Sequence, residues 1–244
     1  MILLCLVFML NDHPDAAGFN RAGSDAKAVN LAEATMKAMG GYEAWDQTRF
    51  LRWNFFGRRA HVWDKWTGRI RVETDDVVIL MNVHNREGKA FKGGQPLEGA
   101  ELEAALVQGY EMWINDAYWL VMPYKLKDSG VTLKYVGEQT MEDGRTADVI
   151  QMTFEDVGVT PENKYHVWIA QDSGLVEAWS FFETAQAEEP RFMTPWANWK
   201  KMGAILLSDD RGKYKHTDVA VYAALPDSVF ESPAAVDWST LVAE

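Results

Sequence analysis

Cysteine, histidine and basic side chains are scarce in this sequence, and each shortage excludes a class of protein. The 244 residues include one cysteine, Cys5, so an intramolecular disulfide and a cysteine-based metal site are both excluded. With 24 basic against 36 acidic residues the net charge is -12, which repels phosphate backbones and disfavours nucleic acid as a partner. No two of the five histidines have the spacing of metal ligands on one helix, the five being His13, His61, His84, His166 and His216.

The sequence also lacks the motifs of common active sites. It contains no G-x-S-x-G elbow, H-E-x-x-H helix, phosphate loop or G-x-G-x-x-G fingerprint. His61 with Asp64, or His84 beside Asn82 and Asn85, could form a general-base arrangement, but a strand-surface histidine and a turn histidine are the simpler interpretations. We therefore expect no catalytic residues, no metal and no cofactor.

Long apolar runs are missing as well. Residues 2–10 are all apolar, which suits the core of an export signal and is too short to span a membrane. Cys5 could carry a lipid anchor, but Leu4 precedes it and the apolar run continues beyond it, so an unmodified cysteine is the simpler interpretation. We expect residues 1–23 to be a residual signal peptide and linker, and the protein to be exported to the periplasm or envelope.

What remains, residues 24–244, is predicted to be a single domain. Apolar spacing predicts helices over 25–39 and 98–121, and the second helix ends before Pro123. The alternation of Leu51, Trp53 and Phe55 predicts a half-buried strand. Residues 77–81 are apolar on both faces, so this strand should be covered on two sides. Further strands are predicted over 131–135, 147–154, 164–170, 175–182, 199–207 and 218–225.

These elements predict an α+β fold. We expect a single, strongly curved, mostly antiparallel sheet of about nine to eleven strands, an unclosed half-barrel with the two main helices on its concave face.

Four segments carry a resemblance to known proteins: WINDAYWLVMPYKL at 113–126, DSGV at 128–131, GVTPENKY at 158–165 and DSGLV at 172–176. They resemble an uncharacterised family of Gram-negative envelope proteins, which is itself similar to the LolA-like lipoprotein-carrier superfamily. The resemblance implies an unclosed antiparallel barrel whose helices cover an apolar concave face. It also implies a strand arginine that fastens this helical lid, for which Arg52 and Arg69 are both candidates by position.

Aromatic residues make up 12% of the chain and include 11 tryptophans. A packed core accounts for many of them, yet wide and rigid side chains also suit the walls of an apolar groove. Tryptophan-rich walls occur in sugar-binding clefts too, so a glycan is an alternative ligand. The residues predicted to bind a hydrophobic ligand are Leu51, Trp53, Phe55, Ile79, Met81, Leu106, Tyr110, Trp113 and Trp119.

Three classes of function follow. The favoured one is a non-enzymatic envelope protein that binds a lipid, a lipoprotein acyl chain or another hydrophobic small molecule in its groove. The second is an envelope sensor or scaffold that binds a protein partner, for which an exposed apolar patch outside the groove would be expected. The third is a hydrolase whose site is assembled only by the fold.

Overall fold

The computed structural model describes residues 13–244, so the predicted export signal at 2–10 and Cys5 lie outside the described residues. Both predicted long helices are confirmed, as α1 (Ala26–Ala38) and α3 (Gly99–Val121), and each helix end lies within one residue of its predicted position. Two short helices accompany them, α2 (Tyr42–Gln47) and α4 (Ser228–Glu231). Single 3-10 turns lie at Met122–Lys125 and Trp238–Thr240.

The strands in the described part of the chain form three antiparallel sheets. Sheet A has the order β15-β1-β2-β3-β4-β5-β6, with β15 (Thr217–Tyr222), β1 (Phe50–Phe55), β2 (Arg59–Asp64), β3 (Arg69–Glu73), β4 (Val77–Asn82), β5 (Gly88–Lys92) and β6 (Gln95–Pro96). Sheet B has the order β11-β10-β9-β8-β7, with β11 (Phe192–Pro195), β10 (Val176–Phe182), β9 (Lys164–Ala170), β8 (Thr146–Phe154) and β7 (Val131–Thr140). Sheet C has the order β12-β13-β14, with β12 (Ala197–Met202), β13 (Ile205–Arg211) and β14 (Tyr214–Lys215).

The predicted class is confirmed: the fold is α+β, its sheets are antiparallel, and they do not close into a barrel. The prediction of one sheet of about nine to eleven strands is corrected, because α3 separates β6 from β7 and neither of these strands pairs with the other. Between β11 and β12, the side chain of Trp196 is fully buried and its backbone N–H bonds to Glu177 of β10. This inward turn ends sheet B and starts sheet C.

Side chains of both long helices pack into one core with β1 of sheet A, but the helix backbones approach different strands. α3 contacts β3, β4 and β5 of sheet A, whereas α1 contacts β7 of sheet B. Small residues of α3 allow a close approach to sheet A, since a Cβ atom added at Gly109 would lie 2.9 Å from Cγ2 of Ile79. Leu80 is buried on the opposite face of β4, where α4 contacts that strand. The two-sided cover predicted for 77–81 is therefore confirmed.

The end of α3 is anchored to sheet C through one backbone carbonyl. Pro123 has no N–H, so it cannot form the helical hydrogen bond to the carbonyl of Trp119. Arg211 Nη2 donates to this oxygen instead, at 2.8 Å, and Nε2 of His216 lies 3.1 Å from it. The proline that ends the helix thereby creates the acceptor that holds it in place.

The start of the described chain differs from the predicted linker. Residues 13–23 pack along β7, where the N–H of Asn20 donates to the carbonyl of Val131 at 3.0 Å. The side chain of Phe19 is only 9% exposed and belongs to the core beneath sheet B. The buried ammonium group of Lys127 holds the beginning of this segment through a backbone carbonyl. These contacts make residues 13–23 part of the folded body.

Candidate functional site

A cavity of about 310 Å³ lies beside the second half of α3, on the side of the helix that faces sheet B. Its walls come from α3 and the segment that follows it, from strands β7 to β10, from the segment that connects β8 to β9, and from Trp63 of β2. Most of the lining side chains are apolar. We call it the aromatic cavity because of seven rings, which belong to Trp63, Trp113, Tyr118, Trp119, Phe154, Tyr165 and Trp179.

Tilted and edge-to-face contacts hold these rings apart. The ring centroids of Trp119 and Trp179 are 4.9 Å apart at 84°, and those of Phe154 and Tyr165 are 5.4 Å apart at 75°. Tyr165 also lies 4.6 Å from Trp179. Such geometry is favoured by the ring quadrupoles. Because wide, rigid rings in these orientations cannot interdigitate as aliphatic side chains do, a space remains between helix and sheet.

The interior of the aromatic cavity is uncharged. Burial raises the pKa of Tyr118 well above its ordinary value and also raises the pKa of Tyr165, so both phenols stay neutral. The hydroxyl of Tyr118 donates to the sulfur of Met152 at 3.2 Å. Two charged side chains line the cavity, Lys125 and Asp128; they form an ion pair with each other and are 34% and 39% exposed. Charge is thus confined to the solvent side.

A second cavity of about 320 Å³ lies beside the first half of α3, and we call it the distal cavity. It shares Gly158 and Val159 with the aromatic cavity. Its other lining residues are Arg86, Glu103, Leu106, Val107, Tyr110 and Glu111.

A buried ion-pair cluster fastens the middle of α3 to sheet A. Asp116 of α3 is fully buried and accepts two hydrogen bonds from Arg59 of β2, at 2.6 and 2.7 Å. Nε2 of His61 lies 2.7 Å from the same carboxylate. Burial acts to raise the pKa of Asp116, but the hydrogen bonds from His61 and Arg59 hold it below its ordinary value. Burial lowers the pKa of His61, so the imidazole favours its neutral form.

This cluster corrects two expectations. Arg59 forms an ion pair with the long helix, whereas Arg52 pairs with Asp218, and Arg69 pairs with Asp64 and Asp227.

The His61–Asp64 arrangement also does not form, since residues three apart on β2 point to opposite faces and His61 meets Asp116 instead. His61 is only 1% exposed, so no substrate reaches it in this structure. The second general-base candidate, His84, lies in the turn between β4 and β5, where its backbone N–H donates to the side-chain oxygen of Asn82.

The predicted ligand-binding residues separate into four groups, two of which line the cavities. Trp113 and Trp119 line the aromatic cavity, and Leu106 and Tyr110 line the distal cavity. Ile79 and Met81 pack beneath α3 in the core of sheet A. Leu51, Trp53 and Phe55 lie in a filled core with Ala117, Leu120 and Val121, and none of the three lines either cavity.

Four lining residues were not predicted from the sequence as ligand contacts: Tyr118, Phe154, Tyr165 and Trp179. A signal was present, because Ile114, Tyr118 and Val121 form a second apolar stripe on α3 beside the predicted one. Within residues 13–244, no group of three or more His, Cys, Asp or Glu side chains is placed to hold a metal ion. None of the helices in the same residues combines the length and the hydropathy needed to cross a bilayer.

Comparison with solved structures finds matches at low sequence identity and low TM-score. A DUF1329 family protein from Desulfovibrio piger is 11% identical over 88% of this chain and 99% of that chain, with a TM-score of 0.45. A Vibrio parahaemolyticus domain named for outer membrane lipoprotein sorting is 10% identical over 84% and 96% of the two chains, with a TM-score of 0.40. MucB is 16% identical over 86% and 64%, with a TM-score of 0.30. No protein-family model and no curated protein matches the chain.

Proposed function

We propose that this protein binds a hydrophobic ligand, a lipid or the acyl chain of a lipoprotein, in the aromatic cavity. The observation that carries the proposal is a cavity of about 310 Å³ whose interior walls are aromatic and uncharged. Pockets that bind small molecules have volumes of roughly 300 to 1,000 Å³ and mostly apolar walls. A hydrocarbon chain needs no polar partner, and each buried methylene group contributes about 0.8 kcal/mol.

The proposed role is binding without catalysis. The phenols of Tyr118 and Tyr165 are held neutral, and the charged residues of the wall, Lys125 and Asp128, neutralise each other. His61 of β2 is bound to the buried Asp116 of α3, and Asp116 also accepts hydrogen bonds from Arg59. The envelope location rests on the apolar run at 2–10, which has the length of an export signal.

The direct test is mass spectrometry of solvent-extracted lipid from protein purified without detergent. A co-purifying acyl chain in stoichiometric amount is the expected result. A displacement assay with a fluorescent, uncharged acyl-chain probe then compares two variants of α3, Ile114→Trp, which fills the aromatic cavity, and Gln108→Trp, which lines neither cavity. Ile114→Trp should abolish probe binding and Gln108→Trp should leave it unchanged. Equal binding by both folded variants would remove the aromatic cavity as the site.

A further inference from the structure

One face of α3 runs past both cavities. Glu103, Val107 and Tyr110 line the distal cavity, and Ile114 and Tyr118 line the aromatic cavity. These five positions are spaced by four, three, four and four residues, which places them on one stripe of the helix. The two cavities are therefore consecutive along a single helix face rather than on opposite sides of it.

The boundary between the cavities is a short loop rather than a packed element. Gly158 and Val159 line both spaces and belong to the connection between β8 and β9. Two apolar side chains are exposed where this loop meets α3: Val159 is 47% exposed and Val107 is 58% exposed. An apolar chain that passes under the loop would bury these two exposed side chains.

Length indicates that the aromatic cavity alone is too short for a full acyl chain. From residue 113 to residue 121 the helix rises about 12 Å, whereas the bilayer core of about 30 Å gives each chain roughly 15 Å. From residue 103 to residue 121 the rise is about 27 Å. The two cavities together accommodate a long chain and its polar end.

The charges around the distal cavity indicate which polar end fits. The guanidinium of Arg86 lies 4.1 Å from the ring centroid of Tyr110 and forms no ion pair with the described residues. Glu103 and Glu111 line the same cavity, so the three charged side chains sum to one negative charge. A free carboxylate would be repelled by this set, whereas a zwitterionic group can face Arg86 with its anion and the glutamates with its cation.

We propose that the two cavities form one site for a single long acyl chain, with its end in the aromatic cavity and a zwitterionic or neutral headgroup in the distal cavity. This inference rests on the proposed function and deepens it, because it assigns the orientation and the headgroup class of the ligand.

Calorimetric titration with free monomers of octyl-, dodecyl- and hexadecylphosphocholine tests the length of the site. Wild type should bind the hexadecyl compound about 100-fold or more tightly than the octyl compound. Val107→Trp should lose most of this gain while retaining octyl binding, and Gln108→Trp should match wild type. If the octyl compound binds but the hexadecyl compound binds no more tightly, the joined site is overturned and the proposed function stands. The same conclusion follows if the two tryptophan variants bind all three compounds equally. Absence of binding by all three compounds overturns the proposed function itself.

The headgroup is tested with three ligands of one chain length, hexadecylphosphocholine, hexadecylglycerol and hexadecanoate. Hexadecanoate should bind at least about tenfold more weakly than the other two, which corresponds to about 1.4 kcal/mol. The double variant Glu103→Gln, Glu111→Gln should reduce this difference, because it removes the two negative charges at the distal cavity. If hexadecanoate binds wild type most tightly of the three ligands, the headgroup assignment is wrong.

The orientation of the ligand is tested with brominated acyl chains. A bromine at the chain end should quench tryptophan fluorescence more than a bromine near the headgroup, and the reverse would overturn the orientation.

Discussion

The two sides of α3 differ in how closely they are packed. Toward sheet A, Ala105 and Gly109 let the helix approach Ile79 and Met81, and the core is filled. Toward sheet B, large rings such as those of Tyr118 and Trp179 hold helix and sheet apart, and a cavity of about 310 Å³ remains. One helix thus has one side that contributes to stability and one that leaves room for a ligand. Small side chains produce the first side and rigid aromatic ones the second.

Substitution to alanine should mainly reduce stability on one side of α3 and mainly reduce ligand binding on the other. This is the largest expected effect. Trp53→Ala removes a fully buried ring on the filled side and should cost about 3 to 5 kcal/mol in unfolding free energy. Phe154→Ala removes a half-buried ring from the aromatic cavity and should cost about 1 to 2 kcal/mol, but it should weaken acyl-chain binding. Urea titration and probe displacement on both variants measure the two quantities. Equal stability losses would show that the cavity side is as tightly packed as the other.

Acid should destabilise the contact of His216 with the end of α3, in addition to its effect at His13, whose pKa burial lowers to about 4. Burial, followed by the charge of Arg211, lowers the pKa of His216 to about 3, against 6.5 in the unfolded chain. Below pH 6.5 the unfolded state binds a proton that the folded state does not, so stability falls as the pH drops from 6.5 toward 3. The loss should be about 3 kcal/mol by about pH 4.5.

His216→Gln keeps a donor for the Trp119 carbonyl and cannot take up the proton. Its urea midpoint should therefore change less than that of wild type over the same pH range. His84→Gln provides the matched control, since it replaces an exposed histidine in the turn between β4 and β5. If the urea midpoints of wild type and His216→Gln fall equally as the pH drops, the assignment of the acid effect to His216 is wrong.

The close approach of α3 to sheet A can be disturbed by a single methyl group. In Gly109→Ala the new Cβ atom would meet Ile79 Cγ2 at 2.9 Å and Cδ1 at 3.0 Å, which outweighs the gain in helix propensity of about 1 kcal/mol. The net loss should be about 1 kcal/mol. Ile79→Val removes Cδ1 and with it part of this clash. The double variant should therefore lose less unfolding free energy than the two single variants lose in sum. Strict additivity would mean that the two residues do not limit the approach.

Apolar periodicity and turn residues were sufficient to predict both long helices and several of the strands. The apolar stripe from Leu102 to Leu120 and the position of Pro123 predicted α3 almost to the residue. The alternation of Leu51, Trp53 and Phe55 predicted β1, and the two apolar faces of 77–81 predicted the double cover of β4. These predictions succeeded because the relevant interactions repeat along the local chain.

The cavity could not be predicted in the same way, because it depends on which face of α3 meets which sheet. The stripe with Leu106 and Trp113 and the stripe with Ile114 and Tyr118 are both apolar, and the sequence alone gives no preference. The contact between Arg59 and Asp116 joins positions 57 residues apart, so it also has no local signal. Four of the predicted ligand residues line the cavities, whereas Leu120, on the same helix, is buried in the core with Leu51 and Trp53.

Removal of the predicted export signal should have the smallest effect, and a longer truncation separates this signal from the folded segment. Deletion of residues 1–12 should leave the unfolding free energy within about 0.5 kcal/mol of wild type, because an export signal is removed from the mature protein. Deletion of residues 1–20 should be clearly destabilising, because it removes Phe19 from the core of sheet B and the hydrogen bond from Asn20 to Val131. Urea titration of both truncated proteins provides the comparison. Equal stability of the two would mean that residues 13–20 contribute no more than a linker, and a large loss in the shorter deletion would contradict the export-signal prediction.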